Sequence, residues 1–123
     1  MENGNHEENM IRHAMDYMGV AVTIIDAECR ILYYNERAEE ILDRKPEYIG
    51  EDVRSHHTGP SSGRKFHEMI REFTQGRAEP FHYEASPYGQ LLSVTFSPVV
   101  IDGKFSGGVQ AVILKEDKTV ISK

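Results

Sequence analysis

The chain has 123 residues, 39% hydrophobic and 28% charged, with a formal net charge of −6 and one cysteine. That length suits one compact domain around a single core, and the composition is that of a folded globular chain rather than a disordered one. Acidic and basic residues are interspersed, so the field repels phosphate backbones and anionic lipid; no apolar run approaches the roughly 20 residues of a membrane span. Nucleic acid and membrane are therefore excluded as expected partners. The polar, acidic start from Met1 to Glu8 is unlike a signal peptide, and the lone Cys29 allows neither an internal disulfide nor a cysteine-rich zinc cluster. Both features point to the cytoplasm.

Residues 5–18 read as an amphipathic helix, because Met10, Ile11, Ala14, Met15, Tyr17 and Met18 recur at helical spacing between charged positions. Asn5 and Glu8 form a capping pair and Gly19 a stop. The methionine-rich stripe must be covered, either by the domain's own sheet or by the same helix of a second chain. In the second case Met10, Ala14, Tyr17 and Met18 form the dimerisation seam.

The β-branched run from Ala21 to Asp26, a turn over residues 27–30 and Ile31 to Tyr34 read as a hairpin. Asn35 suits the N-cap of a short helix over residues 36–43 with Ala38, Ile41 and Leu42 as its apolar stripe, which Pro46 ends. Residues 46–61 read as short turns and loop. From Ser62 to Thr74 the spacing of Phe66, Met69, Ile70 and Phe73 gives a longer helix, capped by Ser61 or Ser62 and stopped by Gly76. Three strands follow, at residues 80–85, 91–100 and 105–114, with turns at residues 86–89 and at Asp102-Gly103. Leu92, Val94 and Phe96 alternate with Ser93, Thr95 and Ser97, and Phe81 and Tyr83 alternate with His82 and Glu84, so one sheet face is apolar and needs a cover. The short helices are the only cover available.

The stretch from Gly19 to Asp26, the run Arg30-Ile31-Leu32-Tyr33-Tyr34-Asn35-Glu36-Arg37-Ala38 and the segment Ile49-Gly50-Glu51-Asp52-Val53 resemble a PAS domain over nearly the whole chain. The resemblance implies an α+β fold: a five-stranded antiparallel sheet with short helices covering one face and an N-terminal amphipathic helix. It divides the chain into a dimerisation helix (1–18), a PAS domain (19–114) and a C-terminal tail (115–123). It implies a sensory, non-enzymatic module that holds a ligand between sheet and helices and signals through a homodimer or a downstream signalling protein; the alternative is a ligand-free interaction domain with a filled core, whose function is dimerisation.

Haem-binding PAS domains resemble this chain in carrying histidines near the long helix, which makes His67 and His57 the candidate iron ligands and haem the leading cofactor. Phe66, Met69, Ile70, Leu92, Val94 and Phe96 would line the same pocket. The plainer alternative is that His56, His57, His67 and His82 are surface residues. A third reading gathers His56 or His57 with His67, His82 and a carboxylate, Glu68 or Glu84, around a metal ion of a small enzyme, although the spacing fits no standard ligand motif. Cys29 is misplaced for a flavin adduct. The glycine-containing run from Thr58 to Lys65 has the wrong spacing for a phosphate loop and reads as a helix start.

Overall fold

The structure, a computed structural model, describes residues 2–56 and 60–117. In chain order it contains α1 (Glu2–Tyr17), β1 (Ala21–Asp26), β2 (Ile31–Tyr34) and α2 (Glu36–Ile41). Two short 3-10 turns follow (Pro46–Tyr48 and Val53–His56), then α3 (Pro60–Thr74), β3 (Phe81–Ala85), β4 (Leu92–Ile101) and β5 (Lys104–Leu114), with a last 3-10 turn at Lys115–Asp117. The strands form one antiparallel sheet in the order β2-β1-β5-β4-β3, so the last strand is central and pairs with the first. The expected α+β architecture is what forms.

Local chemistry accounts for these elements. Asp102 and Gly103 both take positive φ, 52° and 75°, the backbone that a two-residue hairpin between β4 and β5 requires. Gly107 and Gly108 let the central strand lie close: a Cβ on Gly107 would stand 2.3 Å from the Ile25 carbonyl oxygen, and one on Gly108 2.7 Å from the Phe96 ring. Pairing then aligns Thr23, Gln110, Phe96 and Phe81 in one row across the sheet and Ala21, Val112, Val94 and Tyr83 in the next. Both rows face the helices.

α3 roofs this face. Its Phe66 ring stacks on Phe96 at 5.2 Å and Phe73 meets Phe96 edge-on at 5.3 Å, within the main core cluster that also holds Ile25, Ile31 and Val53. Cys29 belongs to the same cluster. It sits in the β1–β2 turn, as expected, with a left-handed φ of 69°, but its thiol is buried and burial pushes its pKa up.

The three helices differ in their bounds from the sequence reading, and β3, β4 and β5 shift by one residue at their ends. α1 begins at Glu2, so Asn5 lies within the helix instead of capping it. α2 stops at Ile41, where Leu42 turns to extended backbone. α3 begins at Pro60, a residue suited to a first helical turn, ahead of the expected serine caps. The stripe on α1 does not pack on the domain's own sheet: Met10 and Tyr17 are 61% and 80% exposed, and Ala14 is exposed.

Candidate functional site

Asn35 is the junction that positions the site. It is fully buried and its side chain is saturated. Oδ1 accepts from the Val22 amide at 2.9 Å and from the Ala38 amide at 3.1 Å, which caps α2. Nδ2 donates to the Met15 carbonyl at 2.6 Å and the Val20 carbonyl at 2.8 Å. One amide group therefore ties β1, α2 and the end of α1. Asp16 adds a second tie, accepting from the Tyr33 hydroxyl and the Glu36 amide.

Beyond α2 the chain passes over the sheet and opens a cavity of about 180 Å³ under α3. Val94, Val112 and Tyr83 form its floor, Phe66 and Met69 its roof and Leu42 its side, while His56, Lys65 and Tyr88 stand at the mouth. Arg44 supplies the feature that distinguishes it. This arginine is only 6% exposed and lines the cavity. Nε donates to Thr23 Oγ1 at 3.1 Å, one Nη to the Asp43 carbonyl at 3.0 Å and the other to Gln110 Oε1 at 3.1 Å. Thr23 and Gln110 are register partners on β1 and β5, so the guanidinium bridges the two central strands. All three acceptors are neutral. Burial pulls the Arg44 pKa down, opposed by the nearby Tyr88 and Asp43 groups. Burial pushes the Tyr83 pKa up, opposed by the neighbouring Gln110 side chain.

The expected pocket residues divide. Phe66, Met69, Leu92 and Val94 line the cavity. Phe96 and Ile70 instead belong to the main aromatic core beside it. His67 is exposed, because one residue along a helix turns about 100°, and the inward position is taken by Phe66. His57 lies outside the described residues. His82 projects from the outer sheet face and bonds Thr95 at 3.0 Å. His56, passed over as an iron ligand, does reach the cavity mouth, but it stacks on Tyr48 at 3.6 Å and bonds Glu51 at 2.9 Å.

The described histidines are therefore not brought together at the cavity, and His57 is outside the described residues. Among the described residues no three histidine, cysteine or carboxylate groups converge as a metal site. The described residues lend haem no support: no described imidazole stands free over the cavity, and its volume is below the roughly 300–1,000 Å³ of pockets for drug-sized ligands. Arg44 was missed from the sequence, where it is one charged residue between a short helix and a proline. Among the described residues no helix is long and apolar enough to cross a membrane.

A wider, open hollow of about 490 Å³ lies at the far end of the sheet, between Phe73, Arg77, Val100 and Phe105. Arg77 there is engaged by Glu72, two backbone carbonyls and the Phe81 ring. It offers no unneutralised buried group.

Comparison with known proteins agrees with this architecture. The PAS domain family profile matches residues 11–114. Among solved structures, the C-terminal domain of a Streptococcus mutans protein superposes with a TM-score of 0.73 at 19% identity, covering 89% of this chain and 86% of that one. The PAS domain of Bordetella pertussis BvgS gives 0.68 at 16% identity, covering 97% and 89%. A sensory box sensor histidine kinase from Vibrio cholerae gives 0.62 at 12%, covering 91% and 94%. No curated protein matches by sequence. With the sheet order, the α3 roof and a family match spanning most of its length, the chain belongs to the PAS domain family.

Proposed function

We propose that this PAS domain is a sensory module that takes a small molecule into the cavity under α3 and passes its presence to α1, through which two copies associate. The observation that carries the reading is the continuous set of contacts between cavity and helix. Arg44 at the cavity holds Thr23; the neighbouring Val22 is held by Asn35, and Asn35 holds the last turn of α1 at Met15. A ligand that changes the position of Arg44 acts on β1 and so on the seating of α1. Similarity to sensor histidine kinase regions supports the sensory role.

A second copy is the fitting occupant of the α1 stripe. Met10, Ala14 and Tyr17 of α1 and Met18 just beyond it occur at i, i+4, i+7 and i+8, all exposed, and the last turn of the helix is fixed to the domain. Paired antiparallel or parallel, that stripe would bury its methionines against their counterparts.

Native mass spectrometry of the intact chain tests both parts together. The expected result is a dimer carrying a small non-covalent adduct, and an Ala14→Glu variant that is monomeric and keeps the adduct, since the charge falls in the seam and away from the cavity. A wild-type monomer at micromolar concentration contradicts the dimer, and an adduct-free spectrum from freshly purified protein contradicts the ligand.

A further inference from the structure

We propose that the cavity is a site for a short-chain organic carboxylate, with Arg44 receiving the carboxylate and the apolar wall of Phe66, Met69, Val94 and Val112 receiving the hydrocarbon. The proposal rests on the reading of this cavity as the ligand site and adds its chemistry.

The argument starts from the charge of Arg44. A guanidinium carries five N–H donors, of which three are used here, on Thr23, Asp43 and Gln110. One donor remains on each terminal nitrogen. No carboxylate of the described residues lies within 4 Å of it: its hydrogen-bond acceptors are neutral, and the Asp43 carboxylate acts on it only from a distance. Two adjacent N–H groups on a planar fork match the two oxygens of a carboxylate.

The surroundings narrow the choice. Exposed Lys65 lines the cavity, and the one carboxylate among the described lining residues, Glu84, is paired with Lys115 at 2.7 Å. An incoming anion therefore passes the Lys65 ammonium. A neutral ligand would leave Arg44 without a carboxylate in direct contact, and a doubly charged phosphate would press its second charge against the hydrocarbon wall. About 180 Å³ is the space of roughly six liquid waters at ~30 Å³ each, which suits an acid of about three to six carbons.

The test is thermal shift and titration calorimetry on the intact chain with straight-chain carboxylates from propanoate to hexanoate and the matching amides, at pH 7.5 and constant ionic strength. The carboxylates should raise the Tm in proportion to concentration while the amides do not. Arg44→Lys, which keeps the charge but loses the fork, should weaken the best carboxylate at least tenfold, and Met69→Trp should block it. If Arg44→Lys fails to fold by circular dichroism, the acid–amide comparison and Met69→Trp carry the test. Equal binding of acids and amides, blocked by Met69→Trp, overturns the anion assignment and leaves the cavity reading standing. Carboxylate binding untouched by Met69→Trp overturns both. Binding of neither series overturns the carboxylate, and the adduct mass then decides the cavity reading alone.

Discussion

Asn35→Ala is expected to lower the unfolding free energy by about 3–5 kcal/mol in urea titration. The loss has two sources. Removing the N-cap of α2 costs about 0.5–2 kcal/mol. The Val22 amide and the Met15 and Val20 carbonyls also lose a partner, and a buried polar group left unsatisfied costs about 1–3 kcal/mol, less where water can reach the end of α1. Against a typical domain stability of about 5–15 kcal/mol, this is a large fraction. The same variant should release the last turn of α1, so hydrogen exchange should quicken there and in β1. A loss under about 1 kcal/mol, or unchanged exchange at residues 15–18, contradicts the role assigned to Asn35.

Phe96→Ala should be of similar size, about 3–5 kcal/mol, for a different reason. Phe96 is buried at the centre of the sheet, with Phe66 and Phe73 both packed on its ring. It also covers Gly108, where no side chain can move in to fill the space. Truncation therefore leaves a cavity beneath α3 that neither the sheet nor the helix can collapse into. The Tm should fall by about 10–20 °C, measured by circular dichroism. A fall of only a few degrees would mean that α3 is not seated on Phe96 as described.

Much of this architecture was legible because its signals are periodic and local. Phe66, Met69, Ile70 and Phe73 mark α3 by spacing alone, and alternation through Leu92, Val94 and Phe96 identifies the covered face of β4. The Asp102-Gly103 turn was readable because few residues tolerate its backbone. Asn35 was legible only in part. Its cap lies three residues away, but its bonds to Val22 and Met15 span 13 and 20 residues and follow from tertiary closure.

The site was harder to read for the same reason. Histidines attract attention because of their chemistry, yet His67 faces solvent simply because Phe66 claims the inward direction. Arg44 carries no local signal: its burial arises when the loop after α2 crosses β1 and β5, bringing it to Gln110 from 66 residues away. A charged residue beside a proline looks solvated in any linear reading. Only the assembled fold removes it from water.

The central claim is that the space between α3 and the sheet is open room for a small molecule, and Val94→Phe tests it most directly. Val94 is buried and forms the cavity floor. In a filled core, the added ring would cost about 1–3 kcal/mol by overpacking. The account predicts instead that urea titration gives an unfolding free energy equal to or above that of the wild type, because the ring enters the cavity. A loss of about 1–3 kcal/mol would mean that the space is already occupied by the protein itself.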